Sequence, residues 1–223
     1  MEGTLGRVRW LWLGLAVLYG AFTAWYTSWS GPLSPEEVDT YIARLVEKGA
    51  RGERLALWRH FLETDTGDDF AMLNAIDLRD APLPVEGVPP GESSQQMLDR
   101  YTEPFLGKAL ARASHPVMIG TAASQALDLW GIDGAERWTM GGLVRYRSRR
   151  DLIEMALAAL DSDIHRYKIA AMEKTIAFPL DPWFQLGDPR LVLALVLTIA
   201  GLVGQLRGAT AGRAGTPSPT SAR

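Results

Sequence analysis

The residues most able to carry chemistry in this chain are three histidines and a dense run of arginines. His60, His115 and His165 lie far apart, without the close spacing expected of metal ligands, so we predict no metal site. Cysteine is absent, which excludes thiolate ligands and disulfide bonds. The sequence contains no nucleophile elbow, phosphate-binding loop or dinucleotide-binding glycine motif, and no cofactor is predicted.

Two histidines have informative neighbours. His115 precedes Pro116 where a predicted helix gives way to a strand, and it could line the mouth of a pocket. A hydrogen-bonded turn histidine is the commoner role for such an isolated group. His165 lies close to Lys168 in a polar segment, and Asn74 is the one uncharged polar candidate on the first predicted strand.

The densest basic cluster comprises Arg145, Arg147, Arg149 and Arg150. Alternation along a strand sends Arg145 and Arg147 to one face of the sheet and Tyr146 to the other. The cluster could bind a carboxylate or another anion. Alternatively, its members pair with neighbouring acids and cap a helix, which is the commoner role of clustered surface arginines.

A strand followed directly by a helix positions this cluster. Residues 140–146 are small or branched apolar residues, which favours a strand, and from Leu152 the apolar residues follow the helical period. Ser148 can cap the helix by accepting from first-turn N–H groups. Similar patterns predict strands at 70–78, 117–129 and 173–179 and another helix at 94–113. The order β-α-β-β-α-β predicts an α+β domain of ferredoxin-like arrangement over residues 66–182.

Within that domain, the predicted helix at 94–113 combines an apolar face with an internal proline. Its apolar residues Met97, Tyr101, Phe105 and Leu110 are predicted to point inward. Pro104 is predicted to kink or restart the helix, because proline removes a helical hydrogen bond.

Two uncharged apolar segments flank the middle of the chain. Residues 10–29 carry no charge over about 30 Å of helix and have tryptophans near both ends, which predicts a transmembrane helix. A cleaved signal peptide is the alternative, with a small-x-small site at Ser28 and Ser30, but the apolar run exceeds the usual length. Residues 190–207 form the second predicted span, with a buried soluble helix as its alternative.

The remaining segments complete the domain organisation. Residues 34–64 predict a helical hairpin, whose first helix starts with a capping box of Ser34 and Glu37. Residues 1–9 form an N-terminal tail, predicted to be cytoplasmic. Residues 208–223 are rich in Gly, Pro, Ser and Thr, which predicts a disordered tail.

The order of several segments resembles a family of small dimeric α/β-barrel proteins of unknown function. The segments are MLNAIDLRD, RASHPVMIG, LVRYRSRRDLIEM and HRYKIAAMEKTIAFP. This family is related to cofactor-independent monooxygenases and YCII-like proteins. The resemblance covers residues 68–180 and implies that two protomers pack sheet against sheet, with any ligand pocket between sheet and helices.

The resemblance also suggests site residues. In some relatives a histidine on the side of His165 binds haem or assists oxygen chemistry, and Asn74 resembles their pocket asparagine. The haem-degrading relatives use a tryptophan on the second helix, and residues 148–160 contain none. The catalytic candidates are therefore His165, Asn74 and His115. The ligand-binding candidates are Asn74, Arg145, Tyr146, His165 and Lys168.

The net charge of the middle of the chain and the predicted membrane topology restrict the function. Residues 30–189 contain 25 acids and 17 Lys or Arg, a net charge of −8, which disfavours a nucleic-acid partner. Arginines flank the outer ends of both spans, so both termini are predicted to be cytoplasmic in a bacterial inner membrane, with the domain in the periplasm. We predict a homodimeric, membrane-anchored module that binds a small ligand or a partner protein. The alternative is a cofactor-independent oxygenase or isomerase acting on a small apolar substrate.

Overall fold

The computed structural model of the protein describes residues 2–214, and their side chains over residues 6–210. It divides into two compact units, one built from the first and last helices and the other formed by Thr27–Trp183. The helices are α1 (Glu2–Tyr26), α2 (Pro35–Glu47), α3 (Gly52–Glu63), α4 (Ser94–Ala111), α5 (Arg149–Asp161), α6 (His165–Ala171) and α7 (Pro189–Ala214). The strands are β1 (Phe70–Leu78), β2 (His115–Thr121), β3 (Met140–Tyr146) and β4 (Met172–Leu180).

The four strands form one antiparallel sheet in the order β2-β3-β1-β4. Asn74 of β1 lies opposite Gly142 of β3 on one side and Ala177 of β4 on the other. With α4 between β1 and β2, and α5 between β3 and β4, the order is βαββαβ, which confirms the predicted ferredoxin-like fold. The short helix α6 was not predicted.

Helix α5 is the centre of the core and packs on both sides. Ser148 caps it as predicted, since its Oγ accepts from the Asp151 N–H at 3.1 Å. Leu152 and Met155 pack with Phe70 and Tyr146 of the sheet. Ile153 and Leu157, both fully buried, pack instead against the hairpin of α2 and α3, through the residues Val38, Ile42, Leu45 and Leu62.

The hairpin is therefore part of the domain core. Its predicted capping box is present: the Ser34 N–H donates to Glu37 Oε2 at 2.8 Å, and the Glu37 N–H donates to Ser34 Oγ at 3.2 Å. Each buried aliphatic side chain at the contact with α5 stabilises the fold by about 1.5–3 kcal/mol.

Two sequence predictions about α4 and β2 were wrong. Helix α4 does not restart at Pro104, and Leu110, which was predicted to point inward, is exposed while Ala109 is buried. Strand β2 ends at Thr121, not near residue 129, because Thr121 pairs with Met140, the first residue of β3. Beyond that pair the regular ladder gives way to separate bonds, in which the Ala122 N–H donates to the Thr139 carbonyl oxygen at 2.9 Å and the Ala126 N–H donates to the Glu136 carbonyl oxygen at 2.8 Å.

The other unit consists of α1 and α7, and both helices are long and apolar enough to cross a membrane, over Gly6–Tyr26 and Pro189–Thr210. They run antiparallel. Trp12 Nε1 near the start of α1 donates to Gln205 Oε1 near the end of α7 at 3.3 Å. At the opposite end, the Arg190 guanidinium lies 5.5 Å from the centre of the Tyr26 ring.

Glycines on α7 allow the close approach of the two helices. A Cβ added at Gly201 would lie 2.5 Å from the Trp12 ring, and one at Gly204 would lie 2.7 Å from Leu11. Helix α7 continues to Ala214, so the predicted disordered tail at 208–223 is helical in its first part. The rest of that prediction, residues 215–223, lies outside the described residues.

Candidate functional site

A large cavity of about 1330 Å³ lies between the sheet and the helices in the unit Thr27–Trp183. Its floor is the central part of the sheet, and helices α3, α4, α5 and α6 provide the other walls. The volume exceeds the roughly 300–1,000 Å³ of a typical small-molecule pocket. The cavity therefore has room for a ligand with an extended body.

Most of the cavity lining is apolar. Trp58 and Phe61 of α3 face it together with Phe105 of α4, and Leu152 and Ala156 come from α5. Helix α3 belongs to the hairpin, so a segment outside the family resemblance builds one wall. An apolar wall of this kind favours ligands that lose contact with water on binding.

A group of basic side chains lies at one end of this lining. Lys168 and His165 of α6 and Arg54 of α3 all line the cavity. Tyr101 joins them: its ring centre is 5.6 Å from Lys168 Nζ and 6.0 Å from the centre of the His165 ring. We call Arg54, His165 and Lys168 the cationic group.

Burial and repulsion by neighbouring cations act on His165 and Lys168. Burial lowers the pKa of His165, and the charges of Lys168 and Arg54 lower it further. Burial, followed by the charge of Arg54, also lowers the pKa of Lys168. Burial raises the pKa of Tyr101 to about 12, so its hydroxyl stays protonated at neutral pH and can donate a hydrogen bond.

The structure brings four of the predicted site residues to this cavity. Asn74 and Tyr146 line it from the sheet, and His165 and Lys168 line it from α6. The Asn74 amide nitrogen donates to the carbonyl oxygen of Met72 in its own strand at 3.0 Å. Burial raises the pKa of Tyr146, which keeps its hydroxyl neutral.

The other two predicted residues, Arg145 and His115, are not among the residues that line the cavity. They lie opposite each other on β3 and β2, so they share the other face of the sheet. Arg145 is 2% exposed, and its Nε donates to Asp69 Oδ2 at 2.7 Å. His115 Nδ1 lies 2.9 Å from the Pro116 carbonyl oxygen.

The remaining arginines of the cluster also contact acids. Arg147 donates to Asp151 at 2.8 Å, and Arg150 donates to Glu37 at 3.1 Å. Arg149 donates to the hydroxyl oxygen of Thr64 at 2.8 Å and joins α5 to the end of α3. These contacts agree with the second interpretation of the arginine cluster, in which its members pair with neighbouring residues.

The fold is shared with solved structures. A methylated form of a protein of unknown function aligns with 62% of this chain and 96% of its own, at 19% identity and a TM-score of 0.50. The same protein, from Rhodopseudomonas palustris, was also found at 18% identity and a TM-score of 0.49, covering 61% of this chain and 97% of its own.

More distant structures include a dimeric protein of unknown function and ferredoxin-like fold from Bacteroides fragilis. It has 12% identity and a TM-score of 0.30, covering 51% of this chain and 96% of its own. No protein-family model and no curated protein matched the sequence. At such identities similarity concerns the fold alone, because one fold supports many unrelated functions.

Sequence reasoning missed Arg54 and the aromatic wall of α3. One signal was available: α5 carries apolar residues on two faces, at Leu152 and Met155 and again at Ile153 and Leu157. A helix that is apolar on two faces must be covered on both. That pattern points to α3 as a partner of the sheet in enclosing a cavity.

Proposed function

We propose that this protein is a membrane-anchored module that binds a small, largely apolar ligand in the cavity between sheet and helices, without catalysing a reaction. The cavity of about 1330 Å³ with its aromatic wall is the observation that supports this proposal. The polar candidates on its walls make other contacts. Asn74 bonds to its own strand, and His165 packs edge-on against Tyr101.

Blocking the cavity tests ligand binding. Ala156 lines the cavity from α5, so Ala156→Phe would fill part of the space a ligand needs. The full chain is purified in a mild detergent, and small molecules that remain bound are extracted and measured by mass spectrometry. We expect a bound compound with the wild-type protein and a clear loss with Ala156→Phe.

A matched control is Ala56→Phe, which places the same side chain at an exposed position of α3. It should retain the compound. Equal retention by the Ala156→Phe protein, or no bound compound in any preparation, would contradict the proposal.

We further propose that the domain lies on the periplasmic side of a bacterial inner membrane. Because α1 and α7 run antiparallel, the start of α1 and the end of α7 lie at the same side of their pair. Arg7, Arg9 and Arg207 occur at those ends, and basic residues near spans are retained in the cytoplasm. The intervening residues 30–189 have a net charge of −8.

Alkaline-phosphatase fusions test this topology, since the enzyme is active only outside the cytoplasm. Fusion after residue 60 should be active, and fusion after residue 215 should be inactive. The reverse pattern would place the domain in the cytoplasm.

A homodimer is the third part of the proposal. The sheet face opposite the cavity includes Met118, Ile176 and Leu180, and each of these side chains is at least partly exposed in the single chain. Covering them would remove apolar surface from water. A second copy of the chain, packed sheet against sheet, would provide that cover.

A further inference from the structure

The cationic group of the cavity has basic side chains without acidic partners. Across residues 6–210, Arg54, His165 and Lys168 form no ion pair, and their side chains make no hydrogen bond. His165 and Lys168 contact the Tyr101 ring, and the charge of Arg54 acts on both of them.

Other basic residues on the same helices behave differently. Arg59, one turn beyond Arg54 on α3, donates to Asp39 at 2.8 Å and to Glu63 at 3.3 Å. Arg166, next to His165, lies 3.3 Å from Asp163. Arg59 and Arg166, which are not among the lining residues, are paired with acids, whereas the cationic group is not.

The cavity lining offers no acid to this group either. None of the lining residues found in the described part of the chain is Asp or Glu. Lys48 and Arg149 also line the cavity, but Asp161 and Asp65 balance their charges from outside the lining, at 2.5 and 3.7 Å. His165 and Lys168 are partly buried while Arg54 is exposed, and placing partly buried cations near another cation is unfavourable without a counter-charge. A bound anion would supply that counter-charge.

We propose that the cavity binds an amphipathic organic anion, whose carboxylate or phosphate contacts Arg54, His165 and Lys168 and whose apolar body lies along the aromatic wall. This inference rests on the proposed ligand-binding function and specifies the ligand class. Tyr101, between the cations and the apolar wall, can donate its hydroxyl to the same head group. Charge-assisted hydrogen bonds of this type are about twice as strong as neutral ones.

Radioligand binding to the full chain in uncharged maltoside micelles tests the inference. Tritiated palmitate is bound to the immobilised protein and displaced with unlabelled palmitate, hexadecyl phosphate or hexadecanol. Comparing palmitate with hexadecyl phosphate distinguishes the two sources of an acidic head group, which are a free fatty acid and a phosphate-bearing lipid. Hexadecanol has the same body without the charge, and we expect it to compete at least about tenfold more weakly than the better anion.

Variants locate the head group. Arg54→Gln with Lys168→Gln should weaken palmitate binding by about tenfold or more, whereas Arg54→Lys, which keeps the charge, should retain most of it. Arg59→Gln is the matched control on the same helix, because its guanidinium is already paired outside the cavity. Circular dichroism checks that each variant is folded.

Two results would overturn the inference in different ways. If hexadecanol competes as well as palmitate, or if the folded double variant binds like the wild type, the cavity binds a ligand but the anion site is wrong. If none of the three amphiphiles binds measurably, both the anion inference and the apolar-ligand function are contradicted.

Discussion

Replacing Arg145 by methionine should destabilise the domain strongly and leave ligand binding intact. The guanidinium is 2% exposed, with Nε 2.7 Å from Asp69 Oδ2 and one terminal nitrogen 2.7 Å from the Ala113 carbonyl oxygen. Methionine fills much of the same space but donates no hydrogen bond. The Asp69 carboxylate and the Ala113 carbonyl then lose a donor in a site with little water.

The size of the effect follows from these contacts. Removing one partner of a buried ion pair costs about 3–5 kcal/mol, because the other charge loses its close counter-charge. With a urea dependence of about 2 kcal/mol per M, the midpoint of unfolding should fall by about 1.5–2.5 M. Arg145→Met combined with Asp69→Leu should recover part of this loss, because it removes the carboxylate as well.

Pulse proteolysis in urea measures this midpoint for the domain within the full chain in micelles. The control is Arg59→Met, which removes an exposed ion pair worth about 0–1 kcal/mol. A shift below about 0.5 M for Arg145→Met would refute the structural role. An equal loss of stability in Arg145→Met alone and in its combination with Asp69→Leu would also refute it. A folded Arg145→Met protein that no longer binds palmitate would restore Arg145 as a ligand-binding residue.

Three further predictions concern pH, the dimer and the paired helices. Because burial and nearby cations lower the pKa of His165, its protonation at low pH should tighten binding of dodecanesulfonate, whose charge is constant. Calorimetry from pH 8 to pH 5.5 should show this gain in affinity. The gain should be smaller for the His165→Gln variant, in which Arg54 and Lys168 still contact the ligand. Met118→Glu should make the protein monomeric in light scattering, whereas the control Leu83→Glu, away from the sheet face, should leave it dimeric. An unchanged mass for both variants would exclude that face as the dimer interface. Gly201→Leu should separate α1 from α7 and abolish a cysteine crosslink between residues 11 and 204, and a retained crosslink would contradict the packing.

The sequence predicted features that depend on a few adjacent residues. The Ser148 cap and the capping box of Ser34 and Glu37 need only local hydrogen bonds, and both are present. The strand over Phe70–Leu78 was predicted with its bounds, and the order of strands and helices was sufficient for the ferredoxin-like fold.

Features that depend on distant partners were not predicted. The end of β2 is set by where β3 begins, and a local pattern at residues 122–129 does not contain that information. The packing of Tyr101 and Phe105 keeps α4 helical around Pro104, against the preference of proline. The cationic group comes from α3 and α6, more than a hundred positions apart in sequence, so only the fold shows that Arg54 and Lys168 line the same cavity.

The antiparallel pair of α1 and α7 also affects the unfolded state of the domain. About 160 residues lie between Tyr26 and Pro189, and paired helices keep the two ends of that segment together whether or not it is folded. Such a closed loop has fewer unfolded conformations than a free chain, and a crosslink spanning this length is worth about 5 kcal/mol in the chain-entropy model. This is comparable with the whole stability of many domains. The paired helices would then act as a non-covalent ring closure, and cutting the chain beside either helix would remove that contribution without changing any contact in the domain.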